Sequence, residues 1–163
     1  MSHPAESTSE PASFPLPEGV VILPMAFADI EEVLALDKVC FPSSWTRESY
    51  RRELSNRHCC YLVMRRQGKL LAYAGLRAVG EEAHLSTLCV VPEHRRQGLA
   101  KALLARMLAV ARERGATRAL LEVRERNLAA QELYRGLGFR VITLQRGYYG
   151  DSGENALVMW KDL

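Results

Sequence analysis

No stretch of this chain approaches the run of about 18 apolar residues that spans a bilayer. The N-terminus lacks a basic segment followed by an apolar one, so no secretory signal is read there. Cysteine is sparse: Cys40, Cys59, Cys60 and Cys89 form no C-x-x-C, and zinc spacing is missing. They read as buried, reduced thiols of a cytoplasmic protein. His58, His84 and His94 stand isolated, without metal spacing. His94, beside an arginine turn, reads as a surface residue within reach of a phosphate. The basic residues form no dense run with interleaved aromatics, which argues against direct nucleic-acid binding. The doublets Arg51-Arg52 and Arg65-Arg66 read as solvated faces. No membrane partner is expected.

What is present suits one soluble domain. The chain has 163 residues, 48% of them hydrophobic and 25% charged, with a net charge of +3. Residues 1–19 are rich in Pro, Ser and Glu and read as a disordered leader. Residues 20–163 carry the fold. Val20 to Leu23 is a first strand. Ile30, Val33, Leu34, Leu36 and Val39 give helical spacing up to Cys40, and Phe41-Pro42 stops it. Thr46 caps a second helix to about Leu54. Three strands follow, near 60–64, 70–79 and 83–91, the last stopped by Pro92. The strongest amphipathic helix covers 98–114, and Gly115 terminates it. A strand over 117–123, a helix from its Asn127 cap to about Leu137, and strands near 139–144 and 156–160 complete the chain. This order predicts a mixed α/β domain on a central sheet.

Between a strand and the strong helix lies Arg95-Arg96-Gln97-Gly98-Leu99-Ala100. The unpaired N–H groups and dipole at a helix start attract anions. Gly98 and Ala100 let a phosphate approach the backbone, and Arg95 and Arg96 add charge-assisted bonds. Taken alone, the turn reads equally as a basic surface turn. It is neither a P-loop nor a G-x-G-x-x-G dinucleotide fingerprint.

Two motifs together carry a resemblance. Arg95-x-x-Gly98-x-Ala100, after the apolar strand Leu88-Cys89-Val90-Val91-Pro92, resembles the coenzyme A pyrophosphate motif of the GNAT acetyltransferases. Asn127-x-x-Ala130-x-x-Leu133-Tyr134-x-x-Leu137-Gly138-Phe139 is similar to their second motif. The resemblance covers residue 20 to the end. It implies a mixed sheet of about seven strands with about four helices, whose fourth and fifth strands splay apart around a pantetheine arm. It further implies acetyl-CoA as co-substrate, without a metal. Leu88, Cys89, Val90, Arg95, Arg96, Gln97, Gly98, Leu99, Ala100, Lys101 and Asn127 are then the residues that hold it. The Cys89 or Val90 N–H would polarise the thioester carbonyl, with Cys89 a small apolar residue and not a nucleophile.

Amide formation needs a neutral amine, and an α-ammonium has a pKa near 8. A carboxylate that takes its proton helps, as does a donor for the departing thiolate. Glu122 lies in the strand Leu120-Leu121-Glu122-Val123, where a charge is costly unless paired or used. From the residues alone it is a catalytic base or a structural carboxylate paired with Arg124 or Arg118. Tyr134 is from the residues alone a core aromatic; the resemblance makes it the general acid and Glu122 the base.

Leu121-Glu122-Val123-Arg124, Phe41-Pro42-x-x-Trp45, Tyr148-Tyr149-Gly150-Asp151 and Ala156-Leu157-Val158-Met159 resemble the protein N-terminal α-acetyltransferases. The bacterial branch implies the N-terminal alanine of a basic small-subunit ribosomal protein as acceptor, and a monomer or weak dimer. Tyr148 and Tyr149 either line the peptide groove or pack at a loop edge. Glu53, Asp151 and Glu154 are expected near that groove. The loop from Tyr148 to Ala156 is one residue longer than the related Y-Y-x-D-G-E-D-A string. A transferase for lysine side chains or small-molecule amines, and a non-catalytic acetyl-CoA-binding regulatory module, are the rival readings.

Overall fold

The computed structural model describes residues 14–163. The first thirteen residues of the expected leader lie outside that range. Among the described residues, seven strands form one sheet: β1 (Val20–Pro24), β2 (Cys59–Arg66), β3 (Lys69–Val79), β4 (Glu82–Val90), β5 (Arg118–Arg124), β6 (Arg140–Gln145) and β7 (Ala156–Asp162). Four α-helices join them: α1 (Ile30–Cys40), α2 (Arg47–Ser55), α3 (Leu99–Glu113) and α4 (Leu128–Gly136). The strand order is β1-β2-β3-β4-β5-β7-β6, as the expected mixed α/β class requires.

Strand alternation sorts the core into two clusters. On β2, Leu62 and Met64 join a cluster with Leu99, Leu103, Leu104 and Met107 of α3. Their neighbours Tyr61 and Val63 join the other, with Ile30, Val33 and Leu36 of α1 and Tyr50 of α2. Leu103, Leu104 and Met107 are fully enclosed, and each such side chain contributes about 1.5–3 kcal/mol. The caps form as the sequence predicts. Thr46 Oγ1 accepts from Ser49 N at 3.1 Å, and Asn127 Oδ1 accepts from Ala130 N at 3.2 Å.

One junction positions the site. β4 and β5 are parallel and pair only over Glu82↔Arg118, Ala83↔Ala119 and His84↔Leu120. Beyond His84 they part. On the other edge of β4, Gly75 pairs with Thr87 but Leu76 pairs with Leu85, which leaves Ser86 as an extra residue. Such a bulge bends its strand, here where the pairing with β5 ends. Glycine is required at position 75 because a Cβ there would collide with the Tyr61 ring. β5 is held instead by β7, from Arg118↔Asp162 to Arg124↔Ala156.

Two expectations are corrected. Cys40 and Cys89 are not a pair of reduced thiols but form a disulfide between the end of α1 and β4. Only tertiary packing brings together residues 49 positions apart; Cys59 and Cys60 are free. Arg65 is not solvated: its side chain is 12% exposed and reaches Asp29 at 2.7 Å and Glu32 at 3.0 Å, tying β2 to the start of α1.

Candidate active site

The gap between β4 and β5 opens into a cleft of about 940 Å³. The anion turn forms one end. Arg96 and Gly98 both adopt left-handed backbone, at φ 61° and 79°. Such turns set N–H groups toward one concavity, and α3 starts directly after Gly98, whose lack of a side chain leaves it unable to cap the first N–H groups. A negatively charged group therefore fits there. Arg95, Arg96, Gly98, Leu99, Ala100 and Lys101 line this end, and His94 joins them. Gln97, expected with them, does not line the cleft.

Leu88, Cys89 and Val90 form the middle. β3 pairs with one edge of this segment, and past His84 no strand among the described residues pairs with the other. Backbone N–H and C=O groups need partners, so an extended amide-bearing chain fits along that edge. Asn127, which caps α4, lies across the gap. Gln131 fixes α4 to the end of β5, donating to Arg124 O at 3.2 Å and Glu125 O at 2.7 Å.

Glu122 and Tyr134 both line the same cleft. The partner of Glu122 is neither Arg118 nor Arg124. Arg118 turns to Glu82 at 3.2 Å, and Arg124 to Asp151 at 2.9 Å and Glu154 at 3.5 Å. Glu122 Oε2 instead lies 2.6 Å from His84 Nε2. The hydrogen bond to Glu122 raises the His84 pKa above its ordinary 6.5, and burial opposes the rise. His84, which does not itself line the cleft, is the Glu122 partner that sequence reasoning missed. Its signal was its place on the strand expected to run beside that of Glu122. Tyr134 is buried, with its ring 6.0 Å from that of Phe139. Burial first, then the nearby Tyr149, pushes its phenol up to about 12.

A further wall of the cleft is built by the α1–α2 segment. Phe41, Pro42 and Trp45 line it, with Tyr50 and Asp37 behind. Asp37 is 2% exposed and accepts from Tyr50 Oη at 2.5 Å and from Tyr73 Oη. Desolvation raises its pKa, against the Tyr50 bond that lowers it. Tyr149 also lines the cleft, under the Arg124 guanidinium at 4.0 Å from its centroid. Tyr148 does not line it and is 47% exposed. The acidic groove residues are corrected in part. Glu53 lies away from the cleft, accepting from Cys59 Sγ at 2.9 Å and from Tyr61 Oη at 3.3 Å. Asp151 and Glu154 are engaged by Arg124 at the cleft's edge.

The family model for the acetyltransferase (GNAT) family matches residues 30–139, which hold the anion turn, the parted strands, Glu122 and Tyr134. The chain belongs to the GNAT family. The ribosomal protein bS18-alanine N-acetyltransferase of Escherichia coli (strain K12) is 35% identical over 117 residues, covering 71% of this chain and 78% of that protein. The N-alpha-acetyltransferase RimI of Mycobacterium tuberculosis is 34% identical over 151 residues, 89% of this chain and 94% of that protein. The crystal structure of the Escherichia coli ribosomal-protein-S18-alanine N-acetyltransferase superposes with a TM-score of 0.80 at 29% identity, covering 88% and 93% of the two chains. The GNAT sheet with parted fourth and fifth strands is thus the frame of this cleft. Among the described residues no group of three or more His, Cys, Asp or Glu is arranged to hold a metal ion. No helix among them is long and apolar enough to cross a membrane.

Proposed function

We propose that this chain transfers an acetyl group from acetyl-CoA to the N-terminal α-amine of a protein, the N-terminal alanine of ribosomal protein bS18. The reaction takes place in the cytoplasm, by direct attack and without an acyl-enzyme. The observation that carries this reading is the meeting, in one cleft, of the Gly98 turn, the Leu88–Val90 edge of β4, Glu122 and Tyr134, with His84 bonded to Glu122 from beside it. The acceptor rests on the similarity to the bS18-alanine N-acetyltransferase of Escherichia coli, and the α-amine also on that to the N-alpha-acetyltransferase of Mycobacterium tuberculosis.

The residues divide the work. The turn around Gly98 takes the pyrophosphate on main-chain N–H groups, and the β4 edge pairs with the pantetheine amides. The acceptor arrives as an ammonium, with a pKa near 8. Glu122, backed by His84, takes its proton, and the neutral nitrogen attacks the thioester carbon. The Cys89 or Val90 N–H receives the developing oxyanion. As the carbon–sulfur bond breaks, Tyr134 gives its phenolic proton to the coenzyme A thiolate. With its pKa near 12 it holds that proton throughout the working range. Tyr149 bounds the acceptor side together with Phe41, Pro42 and Trp45. The surface near Phe41 and Trp45 receives the first residue.

The test is a peptide that begins with alanine, carries basic residues after it, and is compared with the same peptide blocked at its N-terminus. With acetyl-CoA, label is expected on the α-nitrogen of the free peptide alone. Equal labelling of both would place the acetyl group on side chains and overturn the α-amine reading.

A further inference from the structure

Cys40 closes α1 one residue before Phe41, and Cys89 stands on β4 beyond the last residue paired with β5. Their Cα atoms are 6.5 Å apart, within the range of roughly 4.4–6.8 Å that a disulfide spans. Both side chains line the cleft, and Cys40 is only partly buried, so a small oxidant reaches it from solvent. Arg95 Nη2 lies 3.6 Å from Cys40 Sγ, while Arg95 Nε donates to Val90 O at 3.2 Å. A guanidinium beside a thiol favours the thiolate, the form that attacks oxidants. At the two remaining cysteines burial outweighs the nearby arginines. Burial, helped by the bond to Glu53, pushes the Cys59 thiol up to about 12, and burial raises that of Cys60.

We propose that Cys40 and Cys89 form a reversible thiol-oxidation site inside the acetyl-CoA cleft, with hydrogen peroxide as oxidant and a dithiol as reductant. The Cys40 thiolate attacks one peroxide oxygen. The S–O bond forms, the O–O bond breaks, and the leaving hydroxide takes up the proton that Cys40 released. The Cys89 sulfur then attacks the Cys40 sulfur. The S–S bond forms, the S–O bond breaks, and the oxygen leaves as a second water with the Cys89 proton. Two thiols and one peroxide give one disulfide and two waters. The crosslink pins the start of the acceptor wall to the strand that holds the thioester, and it fixes Arg95 against that strand. Acceptor and acetyl-CoA must then fit a cleft whose two sides no longer adjust. The effect on acetyl transfer rests on the function proposed above; the thiol chemistry does not.

The experiment takes the full chain, reduced and desalted, and titrates it with hydrogen peroxide with and without acetyl-CoA. Non-reducing digestion and mass spectrometry locate the bonds. A linked Cys40–Cys89 peptide pair is expected before any change at Cys59 or Cys60, slowed at least about threefold by bound acetyl-CoA and reversed by dithiothreitol. The oxidised enzyme is expected to lose about threefold or more in kcat/KM for the acceptor peptide, and to recover it on reduction. The kcat/KM of Cys40→Ser, or of Cys40→Ala if the serine variant folds poorly, is compared with its own untreated value and no longer responds to peroxide. Absence of the linked pair, or a Cys40→Ser enzyme as sensitive as the parent, overturns the proposal. If the pair forms in a chain that transfers no acetyl group, the oxidation site stands and the acetyltransferase reading falls.

Discussion

His84 Nε2 and Glu122 Oε2 meet at 2.6 Å, on the two strands that separate to make the cleft. His84 is the last β4 residue paired with β5, opposite Leu120, and Glu122 is two residues further along β5. The contact therefore spans the mouth of the gap. It joins a carboxylate to a group that titrates near physiological pH.

That pairing sets a pH dependence. The His84 pKa is raised above 6.5 by its bond to Glu122. The stability it adds is fully present below the unfolded value and is lost as pH rises through the folded one. Catalysis runs the other way, because a protonated His84 holds the Glu122 lone pairs that must accept the ammonium proton. The acid limb of kcat/KM against pH is expected at a midpoint above 6.5 in the parent enzyme. In His84→Gln the histidine-dependent limb should disappear. A limb at the same pH in both enzymes would remove His84 from the proton path.

Tyr134 predicts a different signature. With its phenol near 12, it gives no alkaline limb in the working range. Tyr134→Phe should lower kcat by roughly 10²-fold, the lower end of general acid catalysis, while the acetyl-CoA KM stays within about twofold. A variant with a raised KM and an unchanged kcat would make Tyr134 a wall residue.

Gly98 tests the anion turn. Its φ of 79° is left-handed, and among the described residues, its chain neighbours aside, a Cβ there meets no atom within 4 Å. The cost of Gly98→Ala is then conformational, roughly 1–2 kcal/mol. The acetyl-CoA KM is expected to rise about tenfold, equivalent to ~1.4 kcal/mol, with a small fall in Tm. An unaltered KM would detach the turn from the coenzyme.

Asp37 is the stability counterpart. Asp37→Ala leaves the Tyr50 and Tyr73 phenols without their acceptor, at about 1–3 kcal/mol for each group left unsatisfied. Asp37→Asn keeps an acceptor. Desolvation raises the Asp37 pKa above 3.8, so its contribution is greatest below that value and falls as pH rises through the folded one. At neutral pH the Asn variant should therefore melt well above the Ala variant in denaturant. Equal midpoints would show that the phenols find other partners.

The order of elements was legible because helical and strand periodicities are strong here. The caps at Thr46 and Asn127 and the turn at Gly98 rest on local chemistry that spacing reveals. Pairings across the sheet were not legible. The Glu122–His84 contact depends on the β4–β5 register, and the Cys40–Cys89 bond depends on α1 packing over β4. Arg65 looks solvent-facing in sequence and Glu53 was expected near the peptide groove, yet each is drawn into a partner set from another element. The resemblance, not the spacing, anticipated that β4 and β5 part. The Ser86 bulge that accompanies the parting becomes visible only when the β3 register is known.

The central claim is that Glu122 takes the amine proton in the cleft that holds acetyl-CoA, and Glu122→Gln measures it most directly. Calorimetry should give an acetyl-CoA affinity within about twofold of the parent, and turnover of an alanine-starting peptide at neutral pH should fall by roughly 10²-fold. A Glu122→Gln enzyme that turns over the peptide at the parent rate, with acetyl-CoA bound as before, would contradict the account.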